Sequence, residues 1–322
     1  IRYFFRVHMK KVAHLYQWVR RKLRNASHLK KMTLKSLKKA DTMFFVIDPN
    51  IPHPGLADRI KAIIACYNQA KKNNLSFKIV FDIPFRLKDF LIPSCPNTND
   101  WRAEYSELEY SLCKTRFVDE ERDWHLKAQK GCQYHVYNYK GDIIPEVFSD
   151  TGYRWTDLYN ELFTPSEEIK QAIEATGLKP HSYIAIHLRF VNALENFEEG
   201  HYNGLKTEEA KRDLINRCRV GIQQIMENYP NDKVLIFSDS KRFISEVSDL
   251  GVITLPSDAV SHMCFNHSHA QIIKTFLDQI MISRAKVVYM ITAPEMYRSS
   301  CFSLVGARTV SYTHLTLPTN RE

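Results

Sequence analysis

The sequence predicts an α/β fold made of two Rossmann-like domains that face each other across a cleft. Short apolar segments alternate with helical ones from Asp41 to Arg308, a pattern typical of parallel sheets covered on both faces. The length of 322 residues corresponds to about two domains. The composition, 44% hydrophobic and 25% charged, is that of a folded globular chain and excludes disordered and fibrous classes.

Residues 1–40 form a basic leader that differs from the rest of the chain. They hold thirteen Lys and Arg and no Asp or Glu, whereas the residues after Ala40 include 32 basic and 36 acidic side chains. The body therefore lacks the basic field typical of nucleic-acid-binding proteins, and we expect no nucleic-acid partner. No apolar run approaches the ~18 residues of a membrane span, and the leader has no signal-peptide core.

The leader also carries an apolar stripe with helical spacing, formed by Val12, Leu15, Tyr16, Val19 and Leu23. A basic amphipathic helix of this kind can lie on an anionic membrane surface. We therefore predict a peripheral membrane contact through residues 10–24. A helix packed on the body or a solvated leader is an equal alternative.

Cysteine usage indicates a reducing compartment. The seven cysteines are odd in number and widely scattered, and no Cys-x-x-Cys occurs. Such spacing fits neither a disulfide framework nor a zinc ribbon. We expect a cytoplasmic protein, peripheral to the inner membrane face where the leader contacts it.

Both chain ends read as sequencing boundaries. The first plausible initiator is Met9, and residues 310–319 resemble the translation of a transposase adapter used in sequencing libraries. Natural sequence is then expected to stop near Arg308, leaving residues 309–322 as a non-native tail; a genuine polar tail is the alternative. Read-through of this kind favours a bacterial source.

The first predicted domain covers residues 41–160. Its predicted elements are a strand Met43–Ile47, a loop Asn50–Gly55, a helix Asp58–Lys72, and strands Phe77–Ile83 and Tyr134–Tyr139. The stretch 87–132 is irregular and charged, and its elements cannot be ordered from the sequence.

The second predicted domain covers residues 161–308. Thr164, Pro165 and Glu167 form a predicted capping box with proline at the first helical position, opening a helix that ends near Gly177. The elements predicted after it are strand Tyr183–Phe190, helix Glu208–Asn228, strand Lys233–Ser238, helix Lys241–Leu250, strand Val252–Leu255, helix Gln271–Arg284 and strand Lys286–Ile291.

Polar side chains stand at the end of two apolar strands of this domain. His187 and Arg189 end the first, and Asp239 follows the second. The carboxyl ends of parallel strands face the ligand crevice, where an arginine matches a phosphate bidentately. The alternatives are a buried structural histidine, an arginine paired with a structural carboxylate, and an aspartate that only caps the next helix.

These segments, in this order, resemble the fucosyltransferase superfamily of α-1,6-, α-1,2- and protein O-fucosyltransferases. The resemblance rests on the following segments: Pro54–Ile60, His187–Phe190, Phe237–Ser240, Leu277–Asp278 with Ser283 and Ala285, and Cys301–Ser303. It implies the GT-B arrangement, a GDP-fucose donor and inversion at the sugar. Ala57 replaces a family glycine, and Phe190–Asn192 departs from the α-1,6 and α-1,2 pattern, so linkage and acceptor do not carry over.

The resemblance implies a donor site formed by His187, Arg189, Asp239, Asp278, Ser300, Phe302, Ser303, Gly55, Asp58 and Arg59. Because no Asp-x-Asp occurs in the chain, we expect no metal and assign the charge of the leaving diphosphate to Arg189. Glu195 and Glu198 are candidate acceptor-side bases, with Asp58 as a third, and solvated loop glutamates are the alternative.

Four potential zinc ligands lie close together in His262, Cys264, His267 and His269, but no second ligand pair occurs, and we expect no zinc site. The predicted function is an inverting, metal-independent transfer of fucose from GDP-fucose to a glycan or glycolipid acceptor in bacterial surface polysaccharide synthesis. A transferase for another nucleotide sugar and a nucleotide-binding module without turnover remain open.

Overall fold

The protein is described by a computed structural model. It describes residues 19, 22–48, 55–118, 127–137, 152–195, 204–255, 268–298, 300–308 and 315–316. The helices in chain order are α1 (22–31), α2 (Leu56–Lys72), α3 (Trp155–Leu162), α4 (Glu167–Ala175), α5 (Glu208–Asn228), α6 (Lys241–Glu246), α7 (His269–Ser283) and α8 (Cys301–Arg308). The strands are β1 (Thr42–Val46), β2 (Ser76–Val80), β3 (Leu91–Pro93), β4 (Thr115–Val118), β5 (Gln133–Val136), β6 (Phe163–Pro165), β7 (Tyr183–Leu188), β8 (Lys233–Ser238), β9 (Ile253–Thr254), β10 (Val287–Ile291) and β11 (Leu315–Thr316).

The chain divides into two compact units. One comprises residues 1–54, 61–88 and 93–153, and the other comprises residues 55–60, 89–92 and 154–322. The first turn of α2 is therefore grouped with the second unit. The predicted α/β class with parallel sheets is confirmed, and the cleft between facing domains stays a prediction.

The first unit contains a parallel four-stranded sheet in the order β2-β1-β5-β4. Its central strand β1 is buried along its whole length, as expected for a strand covered on both faces. Between β2 and β5 the chain forms two single 3₁₀ turns, Leu87–Asp89 and Tyr105–Glu107, and the short strands β3 and β4. Strand β3 pairs with β6.

The second unit contains a parallel five-stranded sheet in the order β11-β10-β7-β8-β9. The chain runs outward from β7 through β8 to β9 and then returns to the other side of β7 as β10. This is the strand order of a Rossmann sheet, and its switch point lies between β7 and β10. The core of this unit packs α5 against β7 and β8 through Leu214, Cys218 and Ile222, among other residues.

The capping box predicted at the start of α4 is wrong. Thr164 and Pro165 belong to β6, and the helix begins after Ser166, whose side chain makes no capping hydrogen bond. The Ser166 backbone N–H instead donates to the Phe90 carbonyl at 2.8 Å. Extended backbone pairing therefore competes successfully with the local helix signal, which a linear pattern cannot anticipate.

Most other boundaries agree with prediction to within two residues, but the strands predicted to end at Ile83 and Tyr139 end at Val80 and Val136, and the helix after β8 is also shorter than predicted. The helix predicted for 241–250 ends at Glu246 and is followed by a 3₁₀ turn, Ser248–Leu250. Gly251, with φ 75°, then reverses the chain. Only Ile253 and Thr254 pair with β8, so the strand predicted for 252–255 is shorter.

Two glycines in helices of the second unit give a matched test of this packing. A Cβ on Gly306 of α8 would stand 2.7 Å from Cγ2 of Ile282 and 3.2 Å from the Gln279 carbonyl oxygen on α7. A Cβ on Gly221 of α5 would reach Cδ1 of Ile291 at an ordinary 3.4 Å. We expect Gly306→Ala to lower the free energy of unfolding by about 1–3 kcal/mol through overpacking.

Gly221→Ala is the control and should raise the free energy of unfolding by up to about 1 kcal/mol, because alanine favours a helix interior. Chemical denaturation of both variants provides the comparison. Equal effects of the two substitutions would contradict the close approach of α7 to α8.

Candidate active site

The candidate site lies at the carboxyl edge of the second sheet, around its switch point. His187 is the fifth residue of β7, paired with Met290 of β10 on one side and Phe237 of β8 on the other. Arg189 comes directly after β7, and Asp239 directly after β8. These polar residues therefore lie at the same edge of the sheet, as predicted.

Asp239 binds the turn that follows β7. Its Oδ1 accepts the Phe190 backbone N–H at 2.7 Å, and its Oδ2 accepts that of Val191 at 2.8 Å. Oδ2 also lies 3.3 Å from Nε of Arg189. Asp239 is thus the residue that fixes both the turn and the arginine.

The environment of Asp239 has opposing effects on its ionisation. Burial raises the pKa of the Asp239 carboxyl, while the Arg189 charge and the two backbone N–H groups act to lower it. Val191 adopts φ 53°, a left-handed conformation that a β-branched residue rarely takes. The hydrogen bond from its N–H to Asp239 accompanies this strained geometry.

Asp239 is not the N-cap of α6, which was the alternative interpretation of the sequence. The N-cap is Ser240, whose Oγ accepts the Phe243 backbone N–H at 3.1 Å. The sequence offers aspartate and serine side by side, and both are good caps. Which of the two caps the helix depends on the residue at which α6 begins, and the sequence pattern does not fix that residue.

His187 is buried and joins β7 to the first turn of α8. Its Nδ1 is hydrogen-bonded to Oγ of Ser303 at 3.2 Å, and its ring centroid lies 5.8 Å from that of Phe302. Burial, assisted by the Arg189 charge, lowers the pKa of His187 to about 3. The imidazole is therefore neutral at neutral pH.

The N-terminus of α8 brings three predicted donor residues together. Ser300 precedes the helix, and its Oγ accepts the Phe302 backbone N–H at 3.5 Å. Ser303 is fully buried. Backbone N–H groups at a helix N-terminus favour an anionic ligand, as the sequence predicts for this segment.

Tyr297 is a residue of the site that sequence analysis missed. Its backbone N–H donates to the Arg189 carbonyl at 3.0 Å, so the segment after β10 supports the backbone of the arginine. No side-chain pattern marks this contact, because it is made by main-chain atoms.

The other predicted donor residues lie on α7 and at the start of α2. The carboxylate of Asp278 receives both of its hydrogen bonds from Lys274, one helical turn earlier on α7. Gly55 precedes α2, Asp58 lies in its first turn and Arg59 is completely buried there. The contribution of these residues to the donor site stays a prediction.

The predicted bases and zinc ligands are only partly described. Oε1 of Glu195 accepts the Arg242 backbone N–H at 3.0 Å in the first turn of α6. Glu198, His262, Cys264 and His267 lie outside the described residues. Nε2 of His269 lies 2.8 Å from Oε2 of Glu168, and the described residues contain no group of three or more potential metal ligands.

The neutral His187 predicts a specific acid sensitivity. The unfolded histidine titrates near 6.5 and the folded one near 3, so the unfolded state binds more protons between these values. The contribution of His187 to the free energy of unfolding is complete above about pH 6.5. It decreases by about 1.4 kcal/mol for each pH unit between there and pH 3.

Denaturation of wild type and His187→Gln between pH 4 and 7 measures this effect. The free energy of unfolding should decrease less steeply with falling pH in the variant than in the wild type. The two slopes should differ by about 1.4 kcal/mol per pH unit. Identical slopes for the wild type and His187→Gln would contradict a buried neutral His187.

Three solved structures share this fold. FUT1 of Arabidopsis thaliana, solved as a mutant in complex with GDP, superposes with a TM-score of 0.54 at 10% identity and covers 91% of this chain and 74% of its own. The fucosyltransferase NodZ from Bradyrhizobium gives a TM-score of 0.51 at 12% identity, covering 86% and 94%. NodZ α-1,6-fucosyltransferase soaked with GDP-fucose gives 0.52 at 13% identity, covering 86% and 93%.

No protein-family model matches the sequence, and no curated protein matches it either. The likeness to FUT1 and NodZ therefore concerns the fold. It agrees with the fold implied by the short motifs of the sequence, which occur in the order described above.

Proposed function

We propose that this chain, which has the fold of FUT1 and NodZ, is a glycosyltransferase that moves fucose from GDP-fucose to a glycan acceptor. The observation that carries the proposal is the position of Arg189 and His187 at the switch point of the second sheet, against the first turn of α8. Ligands of open α/β sheets bind at such switch points. Related structures of this fold were solved with GDP or GDP-fucose.

The site suits the diphosphate of a nucleotide sugar. Arg189 supplies a positive charge that Asp239 holds in place, and the α8 N-terminus supplies backbone N–H donors. When the Ser303 hydroxyl donates to Nδ1 of His187, the proton of the neutral imidazole lies on Nε2 and can be donated to a phosphate oxygen. Preorganised donors of this kind stabilise the charge that develops on the leaving GDP.

The proposed reaction proceeds with inversion and without a metal. In an inverting transfer the acceptor hydroxyl attacks the face of the sugar opposite to GDP, and a base takes the hydroxyl proton. Glu195 and Glu198 are the proposed bases, and Glu195 would act through Oε2, because Oε1 already accepts the Arg242 N–H. Arg189 takes the part that a metal plays in transferases with an Asp-x-Asp motif.

The proposed acceptor is a glycan or glycolipid intermediate of bacterial surface polysaccharide synthesis. The basic leader supports this part of the proposal, because its charge would hold a cytoplasmic transferase near lipid-linked intermediates. The part of the chain that the structure describes contains no helix long and apolar enough to cross a membrane.

Calorimetric titration of the full chain with GDP, UDP, CDP and ADP in the presence of EDTA tests the proposal. We expect selective binding of GDP, and its loss in Arg189→Ala. Selective binding of UDP or CDP would support another nucleotide-sugar transferase. Absence of nucleotide binding by a folded protein would contradict the proposal.

A further inference from the structure

Helix α1 is inverted with respect to an ordinary surface helix. Its buried side chains are the polar Arg24 and His28, which are 7% and 8% exposed. Its leucines, Leu23 and Leu29, are 65% and 60% exposed. A helix in contact with water normally turns its apolar stripe to the core and its charges to solvent.

The buried face of α1 is fixed by specific contacts within the first unit. Nη1 of Arg24 lies 3.5 Å from Oδ2 of Asp48, and its guanidinium carbon lies 4.1 Å above the ring of Tyr137. The His28 ring stacks on Phe117 of β4 at 5.2 Å. These contacts determine which side of the helix faces away from the protein.

The segment after α1 is also attached to the same unit. The Thr33 backbone N–H donates to the Tyr110 carbonyl at 2.9 Å, and Thr33 forms a parallel bridge with Ser111. The backbone N–H groups of Lys38 and Lys39 donate to the Glu109 carboxylate at 2.9 and 2.8 Å. The helix is therefore held at both its inner face and its C-terminal extension.

The outward side, which we call the outer face of α1, consists of Leu23, Ala26 and Leu29. At 100° per residue these positions lie opposite Arg24 and His28. Val19 is 40% exposed, and Leu34 beyond the helix is 84% exposed. Val19 and Leu23 are also the last two residues of the apolar stripe that the sequence shows in the leader.

The charged residues of the segment that carries the outer face are all basic. Lys22 and Lys30 flank its leucines, and Lys31 and Lys35 are exposed nearby. Residues 22–40 contain seven Lys and Arg and no Asp or Glu. Leucines surrounded by lysines are the pattern of a helix that lies at the surface of an anionic bilayer.

We propose that the outer face of α1 docks on the surface of an anionic lipid bilayer. The leucines enter the boundary between headgroups and acyl chains, and the lysines contact lipid phosphates. The proposal goes beyond fucosyl transfer and does not depend on it. A second copy of the chain is a poorer partner for this face. Pairing the face with itself would bring lysines together, and residues 22–40 contain no carboxylate to neutralise them.

Vesicle co-sedimentation of the full chain tests the proposal. The probes are vesicles of phosphatidylcholine alone and of phosphatidylcholine with phosphatidylglycerol. We expect binding to the anionic vesicles, weakening as salt is raised, and little binding to the neutral ones. Equal binding to both, or to neither, would overturn the proposal.

A double variant, Leu23→Ser with Leu29→Ser, should bind the anionic vesicles about tenfold or more weakly. The matched control is Ile83→Ser with Val220→Ser, since Ile83 and Val220 are exposed at 38% and 51% but lie outside α1 and the segment after it. The control should bind as the wild type does. Equal loss in both double variants, or a dimer that only the Leu23/Leu29 variant dissociates in sedimentation velocity, would overturn the proposal.

Discussion

Arg189→Lys should lower the rate of GDP-fucose turnover by about 10²- to 10³-fold. Lysine keeps a positive charge beside Asp239 but loses the planar group of donors that matches a phosphate. The same change should weaken GDP binding by about 10- to 100-fold, since a hydrogen bond to a charged group contributes about 1.5–3 kcal/mol. Acceptor-independent hydrolysis of GDP-fucose and calorimetric binding of GDP are the measurements.

Arg219→Lys is the matched control for this variant. Arg219 on α5 pairs with Asp249 at 2.6 Å, and the aspartate of this pair is largely exposed. The substitution makes the same chemical change at a surface ion pair, and should leave hydrolysis and binding at wild-type values. If the Arg189→Lys variant were as active as the control, the assignment of Arg189 to the donor site would be contradicted.

Asp239→Ala should lower the free energy of unfolding by about 3–5 kcal/mol. The substitution leaves the Arg189 charge without its carboxylate partner, a loss typical of a broken buried ion pair. It also leaves the backbone N–H groups of Phe190 and Val191 without their acceptor, which the left-handed turn at Val191 requires. Denaturant unfolding monitored by circular dichroism measures the effect.

Asp232→Ala provides the comparison for Asp239. Asp232 pairs with Lys286 at 2.8 Å near the surface, and its removal should cost less than about 1 kcal/mol. A double mutant with Arg189→Met should recover part of the Asp239→Ala loss, because the uncompensated charge is then absent. Equal costs for the two single aspartate variants would contradict the role of Asp239 in fixing the turn.

These two predictions distinguish a residue that positions the site, Asp239, from a residue proposed to contact the donor, Arg189. Three contacts of the Asp239 carboxylate fix Arg189 and the turn after β7, and its expected contact with the donor stays a prediction. Its loss should therefore be visible in stability, whereas the loss caused by Arg189→Lys should be visible in binding and turnover. The sequence could place both residues at the sheet edge but could not tell which of them positions the other.

The parts of the fold that the sequence predicts best are those with strong periodicity. Helix α5 and strand β8 have their predicted bounds, because long apolar patterns are fixed by burial on the sheet. Arg189 and Asp239 were found by the same means, since polar residues that end apolar strands of a parallel sheet meet at one edge.

Features that depend on contacts distant in sequence could not be predicted. The strand at Thr164 exists because β6 pairs with β3, and Val191 adopts its left-handed conformation beside the Asp239 carboxylate. The contact of Tyr297 with Arg189 is made by main-chain atoms, so the residue types do not indicate it. The inversion of α1 follows from aromatic partners that lie far along the chain, in β4 and directly after β5.

The most direct test of the central claim is incubation of the full chain with GDP-fucose and a mixture of glycan and glycolipid acceptors in EDTA, with nuclear magnetic resonance detection of the product. The account predicts release of GDP together with a fucosylated product of inverted anomeric configuration, and loss of both in Arg189→Lys. Release of GDP at the same rate from wild type and Arg189→Lys, or a product that retains the donor configuration, would contradict it.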